Sequence, residues 1–405
     1  MRTICSALDV GTSKVCALLA ECGEDHAPTI LGYGLAPCTG LRKGVVVNIE
    51  ATVEAIRAAT AEAERGAGVH FGPTVVGVAG AHIRGLNSHG IVAVRGGEVG
   101  TRDVERVIEA ARAVAIPLDR QVLHALPQQF AVDDQEGVRD PLGMAGVRLE
   151  ARIHIVTAAQ SYGQNLMKCC ERANLPPVEL MYEALASADA ALFPEERELG
   201  VALIDIGGGT TDIIVFLNGA VMHTAVVPIG GNHLTSDIAA GLRTPLAEAE
   251  RLKINHGIAT NLIVGRDEIV QVPGVGGRDP RAIGRHLLGE IIEPRMEEIF
   301  SMAQREIVRS GVADSLGSGV VLVGGTSLLE GTQELAERIF NLPVRRGLPL
   351  NPRDMPEPLM KPMYTTAAGL LMRAARQKAS AHSNGRGGRW GWLRTRVGDW
   401  MREFF

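Results

Sequence analysis

Tryptophan is nearly missing from this 405-residue chain. Its three copies, Trp390, Trp392 and Trp400, all lie in the last sixteen positions, and the other 389 residues hold only ten aromatic side chains. The body thus withholds its largest apolar groups from the core. Cysteine is also sparse: Cys5, Cys16, Cys22, Cys38, Cys169 and Cys170 show no C-x-x-C spacing and no accompanying histidine pattern. That excludes a zinc or redox motif and reads as small buried hydrophobes. No G-x-x-x-x-G-K-[ST] loop is present, so a Walker-type phosphate site is excluded. The longest apolar stretches are broken by Asp205 and Asp212, and no basic segment leads into an apolar run at the start. Neither a spanning helix nor export is expected, and the chain reads as cytosolic.

With 46% hydrophobic residues the chain can bury a large core, and its length suggests two or more domains. The net charge of −5 hides an asymmetry. Residues 373–405 carry eight Lys or Arg against Asp399 and Glu403, a local charge of +6 that leaves −11 for the rest. An acidic body argues against nucleic acid as a partner, whereas a basic, aromatic tail suits an anionic surface.

Residues 3–20, TICSALDVGTSKVCALLA, read as two short apolar strands joined by a Gly/Thr/Ser turn, and 201–217, VALIDIGGGTTDIIVFL, repeats the design. Asp9 and Asp205 occupy matching strand ends, which suggests a duplication at domain scale. Between the two hairpins lies a different unit. LNSHGIVAVR reads as a strand, and Val104, Val107, Ile108, Ala111 and Ala115 follow helical spacing. In VRLEARIHIV, Val147, Leu149, Ala151, Ile153 and Ile155 alternate with Arg148, Glu150, Arg152 and His154. This predicts a sheet with one wet face, His154 on the solvent side, in an α+β insert. Further on, a Gly/Pro-punctuated turn opens a long helix, and GVVLVGGTSLLEGTQELAERIF reads as strand, turn and helix. Gln377 to Arg389 reads as a flexible linker, its thirteen residues spanning about 20 Å.

The glycines carry the chemistry. In Asp205-Ile-Gly-Gly-Gly-Thr-Thr-Asp212 the backbone can approach an anion without a Cβ in the way, and threonine hydroxyls add donors suited to a polyphosphate. A strand-end carboxylate cannot touch phosphate but can hold a hydrated Mg²⁺ that bridges its oxygens. Two such hairpins plus Val-Gly-Gly-Thr-Ser at 323–327 read as a nucleotide clamp.

LDVGTSKV, LIDIGGGTTDI and VLVGGTS, with EALASADA and YTTAAGLLMRA as connecting helices, resemble the actin, Hsp70 and sugar-kinase superfamily. Within it, the insert after the first hairpin, the amphipathic C-terminus and VLHALPQQFAVDDQEGVRDPLGMAGVRLEA, ERELGVALIDIGGGTTDI, TSDIA and VPGVGGRDPR are similar to the FtsA family of bacterial division proteins. The resemblance implies an α/β, two-lobed actin-like ATPase fold with an α+β insert in the first lobe and a C-terminal amphipathic helix. It divides the chain into a first lobe core at 1–82 and 162–197, the insert at 83–161, a second lobe core at 198–232 and 306–376, and a small subdomain at 233–305. The linker at 377–389 and a membrane-targeting helix at 390–405 follow.

By the same resemblance, ATP and Mg²⁺ lie between the lobes. Gly11, Thr12, Ser13 and Lys14 would line the first phosphate loop, and Gly207, Gly208, Gly209, Thr210 and Thr211 the second. Asp9 and Asp205 would be the Mg²⁺-side acids, holding the ion through water. Gly324, Gly325, Thr326 and Ser327 would back the adenosine, with Glu250 and Lys253 near the base or ribose, unless that pair is an ordinary surface ion pair. Glu183 sits where related ATPases place a water-positioning residue. The family's partners are the C-terminal tail of FtsZ, other copies of itself in filaments, membrane lipids, and later division proteins, which the insert would contact. The FtsZ site falls here around Arg295, at the start of the helix after GGRDPRAIGRHLL, with Arg278, Arg281 and Arg285 adding positive charge; a solvated helix face is the alternative.

In the tail, Leu393, Val397, Trp400, Met401 and Phe404 fall on one helical stripe, with Arg394 and Arg396 on its flanks and Trp392 and Phe405 at its ends. This is the pattern of a helix lying in a membrane interface on anionic lipid. A helix docked on its own body is the alternative. Two other readings share the fold: an ATP-dependent kinase or phosphatase, and a sister scaffold such as MreB or PilM. No acid placed as a kinase base can be identified, and the insert and tail together favour a nucleotide-binding scaffold over an enzyme.

Overall fold

The computed structural model describes residues 3–23, 27–176, 178–265, 268–274, 279–350 and 355–384, with side chains as far as Lys378. β1 (Thr3–Val10) and β2 (Lys14–Cys22) form the first hairpin, and β3 (Pro28–Pro37) pairs with β2. A short hairpin of β4 (Leu41–Arg42) and β5 (Val45–Val46) leads to α1 (Ile49–Ala67), which Asn48 caps through Oδ1 and Gly68 closes in the left-handed region. β6 (Thr74–Val78) then pairs with β1 in parallel.

The insert follows: β7 (Arg84–Ala93), α2 (Thr101–Arg112), β8 (Arg120–Val132), β9 (Gln135–Val138) and β10 (Arg148–Ala159), an antiparallel sheet in the order β7-β10-β8-β9. Helix α2 ends at Arg112, so Ala115 lies beyond it; Val104 and Val107 pack against Phe130, Leu149 and Ala151. The chain returns through α3 (Gln160–Arg172), β11 (Val178–Tyr182), α4 (Glu183–Ala191) and α5 (Pro194–Leu199). This completes a first sheet in the order β11-β6-β1-β2-β3.

The second lobe repeats that plan. β12 (Val201–Ile206), β13 (Thr211–Leu217) and β14 (Ala220–Val227) form the meander, followed by α6 (Gly231–Leu242) and α7 (Leu246–His256). A two-stranded ribbon, β15 (Ile269–Val272) and β16 (Arg281–Gly284), leads into α8 (Arg285–Arg309). β17 (Val320–Val323), α9 (Thr332–Phe340), β18 (Val344–Arg346) and α10 (Thr365–Asn384) complete the chain. The second sheet runs β14-β13-β12-β17-β18, an antiparallel meander extended by two parallel strands, as in the first. Both sheets are covered on two faces, which is why β1, β2 and β12 read as continuous apolar runs rather than alternating ones.

Four expectations change. His154 is 1% exposed instead of facing solvent, because the insert sheet passes under β14 there and both its faces are covered. Val147 is 71% exposed, since it precedes β10 and lies off the packed face. Cys5 and Cys22 are not lone hydrophobes but a disulfide: β1 and β2 are neighbours and hold the two Cα atoms 6.3 Å apart. The other four cysteines are buried free thiols. Finally, α10 runs to Asn384, so the first eight residues of the expected linker are helical; the remainder of it, and the tail with Trp392, Leu393, Arg394, Arg396, Val397, Trp400, Met401, Phe404 and Phe405, lie outside the described residues.

Helices α4 and α10 cross where both are rich in small residues. A Cβ on Gly369 would come within 1.8 Å of the Ala186 carbonyl oxygen. Gly369→Ala must therefore push the two helices apart, and should lower stability by about 1–3 kcal/mol in urea unfolding. An unchanged midpoint would show that this crossing is free to adjust.

Candidate functional site

Two equivalent turns face each other between the sheets. Gly11 N–H donates to the Lys14 carbonyl at 2.9 Å, and Gly207 N–H donates to the Thr210 carbonyl at 2.9 Å, each two residues after a strand-end aspartate. In the second turn the carbonyls are already used: Gly231 N–H and Asn232 N–H, at the start of α6, reach the Gly207 and Gly208 oxygens at 2.9 and 2.8 Å. A trans peptide points its N–H opposite to its C=O, so the Gly208 and Gly209 amides face away from α6. Neither they nor the amides of Thr12 and Ser13 have a hydrogen-bond partner among the described residues. The turns are close enough that a Cβ on Gly208 would meet Ser13 Oγ at 2.3 Å, and one on Gly209 would meet Thr12 Oγ1 at 2.7 Å. At Gly209 a Cβ would also meet the Lys43 backbone at 2.9 Å, which a side-chain rotation cannot relieve.

Beneath the turns lies a floor of carboxylates. Asp9 is 4% exposed and accepts from Lys14 Nζ at 3.0 Å. Asp205 Oδ2 accepts from Ser187 Oγ at 2.8 Å and Thr366 Oγ1 at 3.2 Å. Asp212, opposite Asp205 across the hairpin, accepts from Thr210 Oγ1 at 3.0 Å, while its Oδ1 is buried without a partner. Burial and the Asp205 charge push the Asp212 carboxyl up to about 7, against the Thr210 hydrogen bond and the nearby Tyr182 hydroxyl. Burial, then the charges of Asp9, Asp212 and Asp205, hold Glu183 well above the usual carboxylate range, with Lys14 opposing. Asp205 is likewise raised, first by burial and then by Asp9, although hydrogen bonds from Ser187 and Thr366 favour its ionised form. Burial disfavours the Lys14 charge, but Asp9 more than compensates and keeps the ammonium protonated.

The Gly324 turn closes the far side. Its φ of +84° and the Asp205 carboxylate, 2.5 Å from where a Cβ would sit, both demand glycine. Gly325 lies against Met363, and Thr326 Oγ1 reaches the Gly207 carbonyl at 3.3 Å. Lys253 is 8% exposed and bonds Glu250, Thr235 Oγ1 and the Gly231 carbonyl at 2.8, 2.9 and 3.1 Å, so the pair is no ordinary surface ion pair. Burial lowers the Lys253 pKa and Glu250 opposes that shift.

Some expected residues turn elsewhere. The Thr211 hydroxyl is tied to the Ile229 carbonyl at 2.8 Å and the Ser327 hydroxyl to the Gly324 carbonyl at 2.7 Å, so both brace their loops from behind. Arg295 is not at a helix start: α8 begins ten residues earlier, at Arg285, because the chain from Arg281 to Gly284 is a strand. Its guanidinium grips Asp237 of α6 at 2.7 and 3.1 Å and also bonds Glu298. Arg285 is paired with Glu268 and Glu330, and Arg281 with the Leu242 carbonyl, so the positive charge expected around this helix is largely engaged; Arg278 lies outside the described residues. Sequence reasoning missed Ser187, Thr366 and the Gly230–Asn232 turn. Asp212 stood in the quoted motif and could have been found as the mirror of Asp205.

Residues 202–369 match the family model described as cell division protein FtsA, and 80–157 match that of the SHS2 domain inserted in FtsA. The cell division protein FtsA of Pseudomonas aeruginosa is 50% identical over 376 residues, 93% of this chain and 90% of that protein. Among solved structures, a PilM–PilN type IV pilus biogenesis complex is similar with a TM-score of 0.66 at 18% identity, covering 93% of this chain and 99% of that one. MreB5 of Spiroplasma citri bound to ADP is similar with a TM-score of 0.58 at 14% identity, covering 94% and 99%. At such identities these two show the fold alone, the two-lobed actin-like one. Half of the aligned residues are shared across nine-tenths of a division protein, and the insert and second lobe each match their own model; the chain belongs to the FtsA family of cell division proteins.

Proposed function

We propose that the chain binds ATP with Mg²⁺ between its lobes and, as a polymer, holds FtsZ at the membrane through its C-terminal residues. The observation that carries the nucleotide half is the pair of facing turns with unpaired amides above a floor of buried carboxylates. Those residues fit the group. The amides of Thr12, Ser13, Gly208 and Gly209, with the Lys14 ammonium, would receive phosphate oxygens. Among the described residues no three His, Cys, Asp or Glu side chains converge on a metal site, so Asp9, Asp205 and Asp212 would hold a cation through water. Bound Mg²⁺–ATP would supply the anion that the turns solvate and the positive charge that the floor lacks. Lys253, Glu250 and the Gly324 turn then line the side where a nucleoside would lie. ADP in MreB5 of Spiroplasma citri supports the same reading. Glu183 would orient a water from the floor, so that any ATP turnover stays secondary to binding.

The membrane half rests on the tail's sequence pattern. No helix among the described residues is long and apolar enough to cross a membrane. Partial burial of the tail's large side chains would yield several kcal/mol, but a free helix of about fourteen residues is marginal in water and must fold as it binds. One tail therefore binds reversibly and a filament with many tails binds firmly. The insert would meet later division proteins and neighbouring copies. The FtsZ tail would dock near the α6–α8 junction, where it must compete with Asp237 for Arg295.

Flotation with anionic vesicles tests the anchor. Because α10 runs to Asn384, the control should be cut there. The full chain should float, more so with Mg-ATP, and the shortened one should not; equal flotation would remove the anchor while leaving the nucleotide reading intact. At the second site, Arg295→Ala should weaken binding of an FtsZ tail peptide by about tenfold or more. An unchanged affinity would move the site elsewhere.

The carboxylate floor has a pH signature. Burial and the neighbouring Asp205 charge push the Asp212 carboxyl from its ordinary value of 3.8 up to about 7 in the folded chain, so the folded state binds the extra proton. Its contribution favours folding at low pH and is lost as pH rises from about 4 through 7. Nucleotide-free Asp212→Asn should therefore be more stable than the parent at pH 8, on the order of 2–4 kcal/mol, with the difference vanishing near pH 4. Thermal melts across that range check this; a constant difference would mean that Asp212 is not strained by its charge.

A further inference from the structure

The insert belongs to the first lobe by sequence, leaving it after β6 and returning into α3, and it is held there by the Tyr182 N–H of β11, which donates to His124 Nε2 of β8 at 3.0 Å; yet it also makes buried polar contacts to the second lobe. His154 of β10 bonds Asn87 of β7 through Nδ1 at 2.6 Å and Thr224 of β14 through Nε2 at 2.9 Å. Asn87 Nδ2 donates to the Met222 carbonyl at 3.3 Å, and Gln128 Nε2 donates to the Val221 carbonyl at 2.9 Å and to Asn87 Oδ1 at 3.2 Å. The roles close on themselves. Asn87 Oδ1 is an acceptor, so His154 must carry its proton on Nδ1, which leaves Nε2 to accept from the Thr224 hydroxyl. Burial, then the nearby His223, lowers the His154 pKa to about 3, so the ring is neutral as this scheme requires. Gly85 permits the approach: a Cβ there would lie 2.3 Å from Thr224 Oγ1 and 2.8 Å from the His154 ring.

The other tie between insert and second lobe is weaker. Arg139 forks onto Glu198, whose carbonyl anchors the β13–β14 turn, but both side chains are about half exposed and such pairs contribute little. At the insert's root, Arg120 bonds the His82 carbonyl at 2.7 Å and Thr157 at 3.0 Å, joining the outgoing and returning strands, so that the insert's side-chain hold on the first-lobe sheet is the His124–Tyr182 bond to its edge strand β11. Strand β14 pairs with β13, which leaves directly from the second glycine turn: Ile214 sits opposite Thr224 and Asp212 opposite Val226.

We infer that the insert is a strap, covalently rooted in the first lobe and clamped through His154 and Thr224 to β14, so that a change of lobe angle at the glycine turns is delivered to the insert's outer surface. The inference rests on the nucleotide reading above for what changes the angle. The clamp itself stands on geometry. A rotation of one lobe against the other must either carry the insert along with β14, straining the His124–Tyr182 bond, or break the His154–Thr224 contact.

Hydrogen–deuterium exchange on the full chain tests it, using Thr224→Val, which removes one hydroxyl at nearly constant volume, and Gly85→Ala, which wedges the seam. Nucleotide binding is measured separately with a fluorescent ATP analogue. In the parent chain, Mg-ATP should slow exchange in 220–227 and in insert strands 84–93 and 148–157 together. In Thr224→Val, 220–227 should still respond while the insert strands lose their response, with affinity for the analogue unchanged. Equal insert responses in parent and variant, or no insert response in a parent that binds the analogue, would overturn the strap. If the analogue does not bind at all, the nucleotide reading fails, and the clamp is judged on nucleotide-free protein. There the loss of one neutral hydrogen bond should speed exchange about fivefold in 84–93 and 220–227 alike. Unchanged exchange in both variants would overturn it.

Discussion

Charge crowding at the base of the cleft is the constraint on which the rest of the structure depends. Asp9, Glu183, Asp205 and Asp212 come from four elements in two lobes, and their mutual repulsion and burial raise three of the four carboxyls. Lys14, paired with Asp9, opposes the shifts of Glu183 and Asp205 without cancelling them. A folded protein does not keep such a group of acids for stability, because each costs desolvation that no hydrogen bond here fully offsets. Under the proposed function, a cation brought from outside would offset it, with the matching anion at the unpaired amides just above. Strain of this kind at one place, supported by well-packed lobes on either side, is characteristic of sites held ready for a ligand.

The lobes hold this arrangement because they are built alike. Each presents a strand ending in aspartate, a glycine turn closed by the same 2.9 Å hydrogen bond, and a returning strand. Facing the turns toward each other brings the unpaired amides of both to one place. Small residues on α4 and α10 allow the connecting helices to cross at backbone contact, so that crossing has little slack. The insert adds a third point of reference, since it is hydrogen-bonded to the second lobe through His154 and to the first, where its peptide connections also lie, through His124.

The hairpins, the duplication and the acids at their ends were legible because they are local: a few consecutive residues determine strand, turn and carboxylate position. The α2 helix was legible for the same reason, its apolar period running until Arg112. Ser187 and Thr366 were not, since they reach Asp205 from 18 and 161 residues away along the chain. Arg295 was misplaced because residues 285–288, which read as part of the Gly/Pro-punctuated turn, already form the first turn of its helix, and that helix runs on through Pro294. The arginines around it looked like a free basic patch only because their acidic partners, Asp237, Glu268 and Glu330, lie elsewhere in the sequence.

His154 draws the line most sharply. Alternation along its strand was a sound physical rule and holds up to Ile153, where one face of the sheet meets water. Beyond that point a strand from the other lobe covers the same face and turns a solvent position into a buried one. The sequence by itself determined which segments are strands and helices, where glycine turns occur, and that carboxylates stand at their edges. Tertiary structure alone decided which of those carboxylates share a site, how far their protons are held, and which polar side chains are buried. Secondary structure follows from steric and apolar patterns among near neighbours, whereas burial and charge coupling depend on groups that only the folded chain brings within a few ångströms.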